Sequence, residues 1–432
     1  MKQRVLIALA ALAIGLAPLG ISAAADVPTS GSLPHGGNYV LYRDQTLPEA
    51  AIDVWFRAPG AGYDNGSPGI ARIAATAAAT STLESGKSLY GIIRSSGGRL
   101  TINVYPDIIG ISAIVPTTAG RRVIAAMSAA FFSPAIDDTA LKTAQRDAAV
   151  LSVARRYSSD DLLHDALFAQ IFTSGPNHYP PLPETVNEIR KISLADVKTY
   201  AKRAFRSANA TMSLAGNVDP TWIEAVTAGA PGSADAPIKS TLANAPANTS
   251  ITGNVAGIGI AWTGPPISDE RAATALDFVA DYLFRDETGK VAKSVAVESG
   301  NYVSGQFITL HDPGVMLVTI GGDKPAELKQ IVLGAVSALS TPLDPKAFEA
   351  ARAAFIYHLA VDTQNPIEQA DNLGWYAAEG NASYAPSDPS SSYWQRANTL
   401  DPAYVASVVK QYLAHPVIIE LTASPASKES AS

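Results

Sequence analysis

The sequence predicts an α+β fold of two homologous domains, each a mostly antiparallel sheet with helices packed on one face, joined by a linker in a clamshell. Three observations carry that expectation. Alanine-rich amphipathic segments alternate with short β-branched runs, and residues 228–249 break the pattern with Ala, Pro, Ser, Gly and Asn. The order of elements before the break then recurs after it. At 432 residues the chain is long enough for more than one core.

In the first half, β-branched and aromatic runs at Asn38 to Tyr42, Ile52 to Phe56, Leu100 to Tyr105 and Ile109 to Val115 read as strands. Helical periodicity marks Pro68 to Thr82, Arg121 to Phe132, Asp138 to Arg155, Asp160 to Phe172 and Leu194 to Phe205, with a second short helix at Ser88 to Gly98. Ser158 and Ser159 stand as caps before two aspartates, where a helix dipole favours them. A strand at Thr211 to Ala215 closes the half. After the linker come a strand at Ile258 to Trp262, a helix at Asp269 to Leu283, and strands at Tyr302 to Leu310 and Val315 to Ile320. Helices follow at Ala326 to Leu339, Pro345 to Val361, Ile367 to Ala378 and Pro402 to Leu413, then a strand at Val417 to Leu421. Pro134 and Pro342 are separated by the same interval as Leu194 and Pro402, and one offset at two landmarks indicates an internal duplication. The expected organisation is a signal segment at 1–25, a first domain at 26–227, a linker at 228–249 and a second domain at 250–432.

Composition excludes several classes. With no cysteine, the chain is neither a disulfide scaffold nor a cysteine-ligated zinc or iron–sulfur protein. A formal net charge of −7 argues against a nucleic-acid partner held by its phosphates. A 47% hydrophobic fraction is too high for a disordered chain. Lys2 and Arg4, the apolar run Val5 to Ile21 and Ala23-Ala24-Ala25 read as a cleavable secretory signal, the competing reading being a membrane anchor. Gly15, Pro18 and Gly20 interrupt the run, which favours cleavage. The expected location is periplasmic or secreted, with no stable membrane insertion after signal removal.

Histidines stand at 35, 164, 178, 311, 358 and 415, and no two are three to five residues apart. No single helix presents a paired-histidine zinc face. His164 and His178 read as structural rather than ligating. Gly-x-Ser-x-Gly, Walker and dinucleotide motifs are absent.

The run Val54 to Asp64, then Gly69-Ile70-Ala71-Arg72-Ile73-Ala74-Ala75-Thr76, Ser88 to Gly98, Leu100 to Tyr105 and Asp107, resembles the amino-terminal domain of the insulinase and pitrilysin metallopeptidases, which include mitochondrial processing peptidase. Lys191 to Val197, Tyr200 and Asn209 to Val218 resemble the close of that domain. Active members carry H-x-x-E-H on the helix after the turn, two histidines holding zinc and the glutamate serving as base, with a distant glutamate as third ligand. The resemblance places Arg72 and Thr76 at the histidine positions, Ala75 at the base and the third ligand near Ser152. A permanent cation, a methyl group and two hydroxyls do not do that work. Realignment does not restore the motif, because no histidine occurs between His35 and His164. No catalytic and no metal-ligating residue is therefore expected.

The family also carries an arginine–tyrosine pair in the second domain. The matching stretch, Lys293 to Tyr302, offers Tyr302 as the tyrosine, but Val295 or Ala296 where the arginine belongs. Tyr302 is the one candidate substrate-binding residue, against the plainer reading of an aromatic opening a strand. The resemblance implies a catalytically inactive subunit that partners a zinc-bearing paralogue and contacts unfolded peptide, zinc residing only in the partner. A stand-alone peptide-binding or structural pseudo-peptidase is the alternative, and an active peptidase with relocated ligands a third reading.

Overall fold

The computed structural model describes residues 27–57, 67–172, 179, 186–236, 248–286, 288–295, 300–380 and 384–424. The signal segment, the turn from Ala58 to Asp64, His178, Ala296 and the middle of the linker lie outside the described residues.

The first half runs β1 (Thr29–Ser32), β2 (Asn38–Arg43), β3 (Glu49–Arg57), α1 (Ile70–Thr80), α2 (Leu89–Ser95), β4 (Arg99–Val104) and β5 (Ile108–Pro116). Then come α3 (Gly120–Met127), α4 (Asp138–Arg155), α5 (Ser159–Ile171), α6 (Val186–Lys191), α7 (Leu194–Ala204) and β6 (Ala210–Gly216). The second half runs β7 (Asn248–Gly253), β8 (Gly257–Thr263), α8 (Glu270–Phe284), α9 (Lys290–Val295), β9 (Tyr302–Ile308) and β10 (Val315–Gly321). It ends with α10 (Pro325–Ala338), α11 (Pro345–Asp362), α12 (Pro366–Glu379), α13 (Ser392–Thr399), α14 (Pro402–Tyr412) and β11 (Val417–Ala423).

Strand order is β1-β2-β6-β3-β5-β4 in one sheet and β7-β11-β8-β10-β9 in the other. Leaving β1 aside, the two orders are the same with each strand replaced by its counterpart. Each sheet has one parallel pair, β2 with β6 and β7 with β11, and antiparallel pairing elsewhere. The duplication legible in the sequence is thus repeated in topology and strand direction.

Local chemistry sets the helix starts. Asp137 caps α4, Ser158 caps α5 and Ser193 forms a capping box with Asp196 on α7. Ser159, expected as a cap, is instead the first residue of α5. Five elements carried too little periodicity to be expected: β1, α6, β7, α9 and α13. The last two residues assigned to the linker, Asn248 and Thr249, open β7. Its described beginning is tied down: Asp235 accepts from Arg206 Nη1 and Asn209 Nδ2, each at 2.8 Å, and Ser207 Oγ donates to Ala230 O at 3.1 Å.

Each sheet packs its own half's helices on one face. The other face is covered by a helix from the opposite half: α5 lies across β8, β10 and β11, and α12 across β2, β3 and β6. Leu163, Leu167, Phe168 and Ile171 of α5 share a core with Ile258, Ile260, Val318 and Ile320. Small residues permit the approach. A Cβ on Gly259 would lie 2.9 Å from Leu167 Cδ1, and one on Gly374 of α12 would lie 2.2 Å from both Ser213 Oγ and Trp55 Nε1. Trp375 meets Trp55 edge-on at 5.6 Å and Tyr105 at 4.8 Å, and its Nε1 donates to Thr309 O at 2.8 Å. One indole thereby joins three segments of the chain.

Gly374→Ala is expected to destabilise the protein by about 1–3 kcal/mol, because its methyl meets backbone-anchored neighbours. Gly334→Ala on α10, where a Cβ meets nothing within 4 Å, is expected to stabilise through helix propensity. Thermal unfolding of the two variants checks the contrast.

Candidate functional site

Between the two halves lies a cavity of about 780 Å³. The first half supplies Arg72 from α1, Ile102 to Val104 of β4 with Tyr105 just beyond, Arg155 at the end of α4, and Asp160, Asp161 and His164 from α5. The second half supplies Asp277 and Asp281 from α8 with Arg285 just past its end, Gly305 to Ile308 of β9, His358 and Asp362 from α11, and Asp371 and Trp375 from α12. Both β4 and β9 end their sheets, so each brings a hydrogen-bonding edge with no strand partner to the cavity.

The helix that would carry a metal motif is α1. Arg72, Thr76 and Thr80 form its half-buried stripe, four residues apart, and every other residue of the helix is buried. The two positions expected for ligands therefore do share a face. Of Arg72, Ala75, Thr76 and Ser152, only Arg72 lines the cavity. Its Nη1 donates to Ile102 O at 3.0 Å. Ala75, where a general base would stand, is fully buried among apolar neighbours. A cation already bonded to backbone, a sealed methyl group and two hydroxyls do not fit a zinc ion. Among the described residues no three His, Asp or Glu side chains are grouped to hold a metal.

Charge is unevenly distributed around the cavity. Burial pushes the carboxyls of Asp277 and Asp371 up to about 7, with Asp281 and Glu368 respectively adding repulsion. Tyr393 donates to Asp277 at 3.0 Å. Asp281 is raised by burial against the pull of His358, whose Nδ1 lies 2.9 Å from both of its oxygens. Arg285 makes a two-pronged contact with Asp362 at 2.6 and 2.7 Å. On the opposite wall, burial and then Arg155 lower the proton affinity of Arg72. His164 is also lowered by burial, and its ring meets Phe168 edge-on at 4.6 Å. Near the junction of the halves, burial raises Asp107 to about 6 despite a bond from His311 N. Burial and the Asp107 charge hold Glu379 well above the carboxylate range.

Tyr302 opens β9 and does not itself line the cavity; its hydroxyl shares a 2.7 Å hydrogen bond with Ser159 Oγ, next to the lining residues Asp160 and Asp161. The cavity's acidic residues on α8, α11 and α12 were not singled out from sequence. One signal was present: Asp277, Asp281 and Arg285 recur every four residues in an otherwise apolar helix, a polar stripe that must face something other than core.

Residues 191–355 match a family model described as Peptidase M16 inactive domain. Among solved structures, a protease from Helicobacter pylori has a TM-score of 0.76 at 15% identity, covering 92% of this chain and 100% of that one. A peptidase M16 inactive domain from Pseudomonas fluorescens has a TM-score of 0.73 at 15% identity, covering 93% and 99%. A chain of complex III2 from Candida albicans has a TM-score of 0.72 at 15% identity, covering 90% and 94%. At such identities the likeness is one of fold. No curated protein sequence matches the chain.

The raised carboxyls set a pH dependence. A group that keeps its proton in the folded state, over a range where the unfolded chain has lost it, favours folding at low pH. That contribution is lost as pH rises from the carboxylate range through about 7 for Asp277 and Asp371. Asp371→Asn is accordingly expected to raise the thermal midpoint by a few degrees at about pH 8 and to leave it nearly unchanged at about pH 4. Melting curves at the two pH values check the sign.

Proposed function

We propose, for a chain whose residues 191–355 match the M16 inactive-domain model and which takes an insulinase-type fold, that it is an exported pseudo-peptidase subunit: it binds unfolded peptide and partners a zinc-bearing paralogue. The observation that carries this reading is α1. Its half-buried stripe offers Arg72 and Thr76, and Ala75 is walled into the core, so no proton acceptor faces the cavity from the place where family chemistry needs one.

Peptide recognition would rest on main chain. An extended segment adding to the free edge of β4 or β9 gains ladder hydrogen bonds without regard to sequence. Tyr302 would then act by pinning the start of β9 against α5 through Ser159. A partner surface is suggested beside the cavity. Val150 and Val153 on α4 and Tyr157 just past it are 67%, 53% and 68% exposed, and Tyr357 on α11 is 66% exposed. Large apolar side chains on the same helix ends that supply Arg155 and His358 to the cavity are what a closing second subunit would cover. The likeness to a chain of complex III2 favours a second reading, a structural subunit of a larger assembly.

Metal analysis of the purified chain is expected to find no stoichiometric zinc, and peptide digests no cleavage. One tightly held zinc per chain with chelator-sensitive cleavage would overturn the proposal. Affinity purification from native extract is expected to recover a histidine-bearing relative whose activity rises when the two are combined. Val153→Asp together with Tyr357→Asp should abolish that recovery. Recovery of a larger assembly without peptidase activity would favour the structural reading.

A further inference from the structure

Arg72 is the only charged side chain on α1, and it sits in the wall of the cavity without a counter-ion. Its Nη1 is bonded to a neutral carbonyl, that of Ile102, and no carboxylate lies within ion-pair distance of it among the described residues. The nearby carboxylate is already engaged: Asp165 Oδ1 lies 3.6 Å from Arg155 Nη2, and Tyr179 hydrogen-bonds to the same side chain. Arg155 also donates to Asp161 O at 3.2 Å. Arg72 thus feels the charges of Asp165 and Asp161 without pairing with either, since Asp165 sits against Arg155, which leaves a partly desolvated, unpaired guanidinium on the first-half wall. Of the acids that line the cavity, Asp277, Asp281, Asp362 and Asp371 belong to the other half, while Asp160, which accepts a bond from Thr319, and Asp161 stand on the same half as Arg72 without pairing with it.

The bond to Ile102 places this charge in relation to a bound strand. Since β5 lies on one side of β4 and no strand among the described residues on the other, the Ile102 carbonyl that Arg72 occupies belongs to the outward edge. A peptide adding to β4 finds its ladder closed at that point, so the chain end or a turning side chain meets the guanidinium there. The remaining N–H groups of Arg72 form a planar fork suited to two carboxylate oxygens. We infer that Arg72 is a carboxylate receptor, which takes the C-terminal carboxylate, or an Asp or Glu side chain, of the peptide seated on β4. This rests on the peptide-binding reading above and adds to it a specificity.

The test uses the full mature chain and a short N-terminally dansylated peptide of Ser, Thr, Val and Lys, prepared as the free acid, as the C-terminal amide, and as the amide with one internal Glu. Binding is read by fluorescence anisotropy. The free acid is expected to bind more tightly than the plain amide by about tenfold, the scale of one charge-assisted pair. Arg72→Met should erase that difference, so that free acid and amide bind alike. If the Glu-bearing amide alone shows the Arg72-dependent gain, the carboxylate comes from a side chain. Equal binding of all three peptides, or an equal loss for all three in Arg72→Met, would overturn the inference while leaving peptide binding intact. No binding of any peptide would overturn both. Thermal unfolding of unliganded Arg72→Met supplies a separate reading: an unchanged or higher midpoint fits a charge awaiting its partner, and a clear fall would make Arg72 a strut between α1 and β4 instead.

Discussion

The exchange of α5 and α12 between the halves constrains everything else in the molecule. A sheet whose strands are buried on both faces needs apolar cover on both, and each half has helices enough for only one. Strand β3 shows the demand, being buried without a break from Ala50 to Phe56. Its second face is closed by α12, and the equivalent face of β8, β10 and β11 is closed by α5. Neither half can bury its sheet alone. The two therefore fold as a unit with Trp55, Trp375 and Tyr105 interleaved at the seam.

That arrangement also makes the cavity. Because α5 and α12 are spent on the opposite sheets, the first turn of α5 brings Asp160 and Asp161, and the second turn of α12 brings Asp371, to the gap between the halves. The ends of α4 and α11 enter the same gap at equivalent places and carry Arg155 and Asp362. The two helix ends hold opposite charges, so a duplicated scaffold yields a cavity whose walls differ, with Arg72 and Arg155 beside Asp160 and Asp161 on one and four aspartates beside Arg285 and His358 on the other. The acids there are held partly protonated by burial, which softens the repulsion among them.

How far the sequence revealed this depends on range. Helix α4 is read at the same residues, Asp138 to Arg155, because its cap and its apolar period are local. The duplication was legible from two proline and leucine landmarks, because topology copied twice leaves a constant offset. The short α6, α9 and α13 left no readable period, and β7 was hidden within polar residues, since β11 pairs it at the sheet edge and its burial merely alternates. The helix exchange was not legible at all. Amphipathic α5 shows that it must cover something, but periodicity carries no information about which sheet. For the same reason Arg72 was found as a departure from a motif, whereas its bond to Ile102 and its neighbour Arg155 belong to contacts that spacing does not encode.

The substitutions on α1 then have a common physical sense. A helix face that presents two neutral imidazoles attracts a cation, and one that presents a guanidinium repels it and attracts an anion. Ala75 removes the only kind of group that would have opposed such an anion from beneath, and its methyl group completes a core that a carboxylate would have disrupted. Arg72 needs solvent or a ligand for its charge, Ala75 needs neither, and each is placed where that need is met: the first in the cavity wall, the second in the core. The α1 stripe and the cavity draw on different parts of the fold. The first is set by three side chains of one helix, while the cavity and its two strand edges are consequences of the sheets and of the helices that cross between them.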